Sequence, residues 1–293
     1  MNANRRNFLG AIAATSVTSA IAATQANAQT PTPRRTAPAP ATPTDRELTG
    51  KVAIVTGARN NLGRGVAVAL ARNGADVVVH YHREATRDQA EETARLVQQQ
   101  GTRTLLVPGD LSQVANIKRL FDETTKTFGR LDILVHTAGI MVKKPLAQVT
   151  EAEYDRAAGI NAKGTFFIMQ EAIRRIQDNG RIINFGSSLL AANIPNYSTY
   201  GASKAAMEHV TRALAKEIDW KRNFTVNTIG PGPVDTSFLR DSERPEGLAA
   251  ATRLVGRLGT IDDIVPLVEF LASPQSRWVN GQTIFINGGY VGR

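Results

Sequence analysis

An α/β fold is predicted: one doubly wound, parallel sheet of about seven strands with helices on both faces. Two observations lead there. Short apolar runs alternate along the chain with longer amphipathic segments, the order expected of strands joined by crossover helices. A glycine-rich turn follows the first of those runs and opens a helix, the arrangement at which parallel sheets bind ligands. With 293 residues, 42% of them apolar, the chain is long enough for one large core.

The first 44 residues are expected to lie outside that core. Arg5-Arg6 precedes Phe8-Leu9, an alanine-rich run follows, and Ala26-Asn27-Ala28 closes it. A charged start, an apolar stretch and a small-x-small end make a secretory signal over residues 1–28. The arginine pair resembles a twin-arginine export signal. A periplasmic or exported location is therefore expected, or a cytoplasmic one if the signal is not used. Residues 29–47 carry Pro31, Pro33, Pro38, Pro40 and Pro43 and have the composition of an extended, solvated linker. The fold is expected to occupy residues 48–293.

Within it, Lys51–Thr56 has the composition of a buried strand. Leu62–Asn73 repeats apolar residues at helical spacing, Ala75–Tyr81 is a second strand, and Glu84–Gln100 is a charged amphipathic helix. Thr104–Pro108, Leu131–His136, Gly180–Phe185, Phe224–Ile229 and Thr283–Ile286 are further short strands. Val114–Thr127, Glu151–Gln177, Ser203–Asp219 and Ile261–Ala272 are the helices between them. The segment from Ser237 to Val255 is assigned no element. It holds Phe238, Leu239, Arg240, Asp241, Glu243 and Arg244, a mixed set expected to shape the substrate's side of the site.

Composition narrows the function classes. The formal charge is +9, but Arg5, Arg6, Arg34 and Arg35 lie in the first 44 residues with no acid among them, leaving +5 (9 − 4) for the rest. Acids and bases are interspersed there, and no basic stripe carries interleaved aromatics, so no nucleic-acid partner is expected. No run of strongly apolar residues is long enough to cross a membrane. Cysteine is absent, which excludes disulfides and thiolate chemistry. The histidines, His80, His82, His136 and His209, have no metal-ligand spacing, and no catalytic metal is expected.

After the first strand comes Thr56-Gly57-Ala58-Arg59-Asn60-Asn61-Leu62-Gly63-Arg64-Gly65. A glycine turn between strand and helix lets backbone N–H groups approach a pyrophosphate at the positive end of the helix. The pattern resembles the Thr-Gly-x-x-x-Gly-x-Gly fingerprint of the short-chain dehydrogenase/reductases, a family with a Rossmann fold. Thr56, Gly57 and Gly63 match it. Asn61 stands where the middle glycine belongs, and asparagine is among the few other residues that tolerate a left-handed backbone. Gly57, Arg59, Asn61, Leu62 and Gly63 are thus expected to cradle a dinucleotide.

The second strand ends His80-Tyr81-His82-Arg83, with no acid before Glu84. An acid at that end would take the ribose 2′-hydroxyl of NAD, whereas Arg83 can clamp a 2′-phosphate with its forked donors. Arg59 is a second candidate for that phosphate, and His82 lies beside it in sequence. NADP(H) is favoured and NAD(H) stays possible; Arg83 could instead simply begin a solvated helix. The non-glycine turn position together with His-Tyr-His-Arg is similar to pteridine reductases, a likeness confined to the first 85 residues or so. Further along, the resemblance implies that Asp110 and Leu111 contact the adenine. Ala138-Gly139 matches the end of the family's Asn-Asn-Ala-Gly, while His136 and Thr137 do not. His136 is expected to support the sheet rather than to catalyse.

Tyr200-Gly201-Ala202-Ser203-Lys204 places a phenol and an ammonium four residues apart, on one face if the segment is helical. A free tyrosine, with a pKa of about 10, is a poor proton shuttle at neutral pH, so a neighbouring cation is expected to lower it. This is the family's Tyr-x-x-x-Lys pair, and Tyr200 and Lys204 are expected to act as general acid/base and as cofactor contacts. The resemblance adds Ser187, 13 residues before Tyr200, to hold the substrate oxygen, with Ser188 as competitor, and Asn161 to hold a water in a proton relay. It also places Pro231, Gly232, Val234 and Thr236 against the nicotinamide. Ser187, where pteridine reductases usually have aspartate, is similar to the general carbonyl-reductase type, with a 3-oxoacyl-thioester reductase, a sugar or polyol dehydrogenase and a small ketone reductase all open.

The resemblance covers nearly all of residues 48–291. It implies an NADP(H)-dependent oxidoreductase that moves a hydride between nicotinamide and a small-molecule carbonyl or secondary alcohol. The helices Glu151–Gln177 and Ser203–Asp219 are expected to pair across a two-fold axis in a homotetramer or homodimer. A non-catalytic NADP(H)-binding sensor on the same fold is the rival from another class.

Overall fold

The computed structural model describes residues 46–292. The signal expected over residues 1–28 and most of the linker lie outside the described residues. Seven strands form one sheet: β1 (Val52–Thr56), β2 (Asp76–Tyr81), β3 (Thr104–Pro108), β4 (Ile133–His136), β5 (Arg181–Phe185), β6 (Thr225–Pro231) and β7 (Thr283–Ile286). Their order is β3-β2-β1-β4-β5-β6-β7, and every neighbouring pair is parallel. Strand pairing runs outward from β1 through β2 on one side and through β4 on the other. That reversal opens a crevice beyond the carboxyl ends of β1 and β4.

The sheet is buried on both sides because its strands are apolar at consecutive positions. Ala53 and Val55 of β1 face one core and Ile54 faces the other, as do Val77 and Val79 against Val78, and Ile133 and Val135 against Leu134. Each of the larger side chains contributes roughly 1.5–3 kcal/mol by leaving water. The first core is closed by α1 (Asn61–Arg72) and α2 (Arg87–Gln98), together with α10 (Ile261–Ala272) from the far end of the chain. The second is closed by α3 (Val114–Phe128) and by a long helical stretch after β4.

That stretch differs from the single helix Glu151–Gln177 expected from sequence. It comprises α4 (Glu151–Ala157), a π-helical turn (Ala158–Gly164) and α5 (Thr165–Arg175). Thr150 caps the start in a reciprocal box with Glu153. The wide turn coincides with Asn161, whose side chain is tied across to the backbone of Ile140, so a tertiary bond accompanies the local change in helix type. After β5 come a short α6 (Leu189–Ala192) and α7 (Ser198–Glu217). α7 begins five residues before the expected Ser203. Its first turns bury Thr199, Tyr200, Ser203 and Lys204, polar residues that break the apolar periodicity by which a helix is recognised.

The unassigned segment after β6 is mostly helical. α8 (Ser237–Arg240) is one turn, and α9 (Pro245–Val255) follows with Pro245 in its first turn and Glu246 at its positive end. α9 has no buried residue. Its apolar residues Leu248, Ala251 and Leu254 line the cleft rather than a core. No described helix is long and apolar enough to cross a membrane.

Candidate active site

β1 delivers Thr56 to the floor of the crevice, and the chain turns at Gly57, whose φ is +67°. A Cβ there would lie 3.0 Å from Ala138 Cα, and one on Gly63 would lie 2.4 Å from Gly57 O. Only glycine lets strand, turn and helix approach this closely. Asn61 does adopt a left-handed backbone, φ 48°. It also does what glycine cannot: its amide donates to Ser237 Oγ at 2.9 Å, linking the turn to the segment after β6.

His80 fastens the same turn and escaped the sequence argument. Its ring is buried, accepts from Gly57 N–H at Nδ1 (3.3 Å) and contacts Gly109 O through Nε2 (2.9 Å). A carbonyl can only accept, so Nε2 carries the proton and the imidazole is neutral. Burial holds its pKa down to about 4. A lone polar residue inside the otherwise buried run Val77–Tyr81 was the available signal.

A cleft of about 870 Å³ runs from this turn to the catalytic helix. At one end it is lined by Arg59, His82 and Arg83, the last two exposed, and by Asp110 and Leu111 from the end of β3. Among the described residues, neither Arg59 nor Arg83 forms an ion pair, while the Glu84 carboxylate is engaged by Tyr81 OH (3.3 Å) and Arg87 (3.5 Å). The donor set therefore fits a phosphate-bearing ribose: two guanidiniums without an acid partner, Arg59 donating to Gln89 Oε1, and the neighbouring Glu84 already engaged. Leu62, Ala138, Gly139, Pro231, Gly232, Val234 and Thr236 line the same cleft.

His136 supports the sheet, and it does so directionally. Thr56 Oγ1 accepts from Ala138 N–H (3.2 Å) and contacts His136 Nδ1 (2.8 Å); His136 Nε2 contacts Thr165 Oγ1 (2.9 Å), which donates to Asn161 O (2.7 Å). Since the Thr165 proton is committed to Asn161, Nε2 donates and Nδ1 accepts. One neutral imidazole thus joins the cofactor turn to the π-turn. Burial, then the positive Lys204, hold its pKa down to about 3.

The four expected catalytic residues converge. Asn161, fully buried, spends its amide on Ile140 O (2.8 Å) and Ser203 Oγ (2.9 Å) and accepts from Ile140 N–H (2.9 Å). Its side chain is therefore a clamp between the loop after β4 and α7. A Cβ on Gly139 would lie 3.0 Å from Asn161 Oδ1 and 3.1 Å from Lys204 Nζ, so the two residues meet at that glycine. Lys204 donates to Phe185 O at 2.7 Å, and burial lowers its pKa to about 8. The structure corrects one expectation: the phenol of Tyr200 is not lowered by the ammonium. Burial pushes it up to about 12, against a weaker downward pull from the Ser187 hydroxyl.

The choice between the serines is visible in their bonds. Ser188 donates to Gly230 O (2.9 Å) and accepts from Asn287 (3.2 Å), so it belongs to the sheet edge. Ser187 Oγ accepts from Leu189 N–H at 3.2 Å and sets its hydroxyl against the Tyr200 phenol, on the cleft side. Phe238 stands beside Tyr200, ring centroids 6.5 Å apart. Lys143, Tyr197 and Glu243 also line the cleft, and sequence alone singled out only Glu243, within its mixed segment. Among the described residues no group of three or more His, Asp or Glu side chains is placed to hold a metal.

Comparison with known proteins agrees with this geometry. Residues 57–291 match the family model described as enoyl-(acyl carrier protein) reductase. A hydroxynaphthalene reductase-like protein of Metarhizium robertsii is 41% identical over 266 residues, covering 85% of this chain and 97% of the relative. A short-chain type dehydrogenase/reductase of Picea abies is 40% identical over 256 residues, 83% of this chain and 93% of the relative. The solved structure of a putative dehydrogenase from Burkholderia cenocepacia with bound NADP superposes with a TM-score of 0.82 at 38% identity, over 85% of this chain and 96% of that one. With its parallel sheet, its glycine turn and its cleft leading to Tyr200 and Lys204, the chain belongs to the short-chain dehydrogenase/reductase family of oxidoreductases.

Proposed function

We propose that this protein is an NADPH-dependent carbonyl reductase that returns a secondary alcohol, and that runs in reverse as an alcohol dehydrogenase. The observation that carries this is the continuity of one cleft, with Arg59 and Arg83 at one end, neither ion-paired among the described residues, and the Tyr200 phenol at the other. A dinucleotide held there supplies the hydride. Arg83 and Arg59 would take its 2′-phosphate, and the relative with bound NADP supports that preference over NAD.

The chain's own groups manage the proton. With its pKa at about 12, the Tyr200 phenol is protonated at neutral pH and can donate to a carbonyl oxygen as negative charge develops on it. Ser187 O–H, beside the phenol, would donate a second hydrogen bond to the same oxygen. Lys204, one helical turn away and largely protonated at pH 7, donates to Phe185 O and leaves the protonation of the phenol to burial. Asn161 holds this end of the cleft in register through its clamp on Ile140 and Ser203. The Phe238 ring beside Tyr200, and the hydroxynaphthalene reductase-like relative, support a ring-containing ketone as substrate.

The test is NADPH consumption against a panel of cyclic and aromatic ketones, with Tyr200→Phe as control. The variant should bind NADPH as the parent does and lose turnover by about 10²–10⁴-fold. Near-normal turnover in Tyr200→Phe would remove the assignment. Tyr154 and Phe166, exposed on α4 and α5, support pairing of those helices in a homotetramer or homodimer. A monomeric mass at micromolar concentration would count against that.

A further inference from the structure

The segment covering the substrate end of the cleft is fastened to the body in an unusual way. Among the described residues, Ser242 Oγ donates locally to Phe238 O, and the side-chain hydrogen bonds that reach from residues 241–255 to the chain before β6 come from one carboxylate. Glu243 Oε2 accepts from Lys143 Nζ at 2.5 Å, and Glu243 Oε1 accepts from Tyr197 OH. α9 buries no residue of its own, so packing adds little to this attachment.

The two donors sit on one platform. Lys144 N–H donates to Asn196 O at 2.8 Å, joining the loop after β4 to the loop before α7. Lys143 Nζ also lies 5.2 Å from the centroid of the Tyr197 ring, a cation–π geometry that holds both donors for one acceptor. Tyr197 is three residues before Tyr200, so the attachment is made at the start of the catalytic helix. The glycine at 247 completes the fit: a Cβ there would lie 2.1 Å from Glu243 Oε2. A side chain at 247 would require the carboxylate to shift from this position.

We propose that Glu243 is a positioning residue, a latch by which residues 241–255 are held over the bound substrate through Lys143 and Tyr197. The inference rests on the carbonyl-reductase assignment for its substrate, but the latch itself is a property of the fold. The Glu243 side chain is only 8% exposed. Its bond to Lys143 is therefore stronger than a surface ion pair and worth about tenfold or more in the closing equilibrium. Because the latch does not touch the reacting atoms, releasing it should weaken substrate retention and leave the chemical step alone.

The experiment uses the full chain and two independent variants, Glu243→Gln and Gly247→Ala, with amide hydrogen exchange as the first readout. Gln at 243 would place an amide against an ammonium, and Ala at 247 displaces the carboxylate sterically. Exchange of the α9 amides should rise about tenfold in both variants, with the sheet unchanged. KM for a ketone substrate should rise about tenfold, with kcat and NADPH affinity within about twofold of the parent. The charge-reversed pair, Lys143→Glu with Glu243→Lys, should restore protection of α9. Unchanged α9 exchange in both variants would overturn the latch, and so would a rise spread evenly over the sheet. If the parent reduces no ketone at all, the assigned reaction falls, while hydrogen exchange still decides the latch.

Discussion

Acid should unfold this protein through two buried imidazoles. His80 and His136 are neutral in the fold, each with a hydrogen-bond pattern that leaves one ring nitrogen as acceptor and the other as donor. Protonation would put a second N–H against Gly57 N–H in one case and against the Thr56 hydroxyl in the other. Their folded-state pKa values, about 4 and about 3, lie below the ordinary 6.5. Because these values are depressed, the unfolded chain binds protons first as pH falls. Stability is fully present above about pH 6.5 and is lost progressively toward pH 4 and 3.

Each imidazole removes about 1.36 kcal/mol per pH unit within that window, so at pH 5 each costs about 2 kcal/mol and the pair about 4. That is a large share of the roughly 5–15 kcal/mol typical of a folded domain. Most carboxylates titrate below the interval, so a comparison of pH 7.5 with pH 5 isolates the histidines. Urea unfolding at the two pH values measures the difference. His80→Gln and His136→Asn should each be less stable than the parent at pH 7.5. Each should lose only about 2 kcal/mol on acidification, against about 4 for the parent. If both variants retain the full pH dependence, the two imidazoles are not its source and the hydrogen-bond assignment is wrong.

Other expectations are briefer. Arg83→Ala should weaken NADPH binding by about tenfold while leaving NADH binding nearly unchanged, since the lost partner is the 2′-phosphate; equal losses would remove the argument. Ser187→Ala should lower kcat by about 10²-fold with little change in stability. Ser188→Ala should instead cost about 1 kcal/mol in unfolding and spare turnover, and the opposite pattern would exchange their roles. Export is proposed from Arg5-Arg6 and Ala26-Asn27-Ala28: replacing the arginine pair with lysines should strand the chain in the cytoplasm. Full-length protein recovered there from the parent, with Met1 intact, would refute it.

Much of the scaffold was legible without coordinates. Strands buried on both faces must be apolar at successive positions, so Lys51–Thr56, Ala75–Tyr81 and the later runs stood out, and the structure trims or extends them by a few residues. The glycine turn and the Tyr200–Lys204 spacing were equally plain, because local geometry dictates residue type there. Asn61 could be expected to take a left-handed backbone, since few other residues tolerate one.

What sequence could not show depends on contacts between distant segments. The π-turn at Asn161 accompanies a bond to Ile140, and α7 starts early because its polar face is buried against β5 and the π-turn rather than in an apolar core. α9 turns Leu248, Ala251 and Leu254 to the cleft rather than to a core, which no pattern along one segment discloses. The pKa of Tyr200 could not be read from its neighbour Lys204, since the ammonium turns to Phe185 O and burial decides the direction. His80, His136 and the Glu243 latch each join residues 23 to 100 positions apart. A periodic pattern records which face of one element is apolar. Only the folded chain brings a lone polar side chain to the one partner that satisfies it.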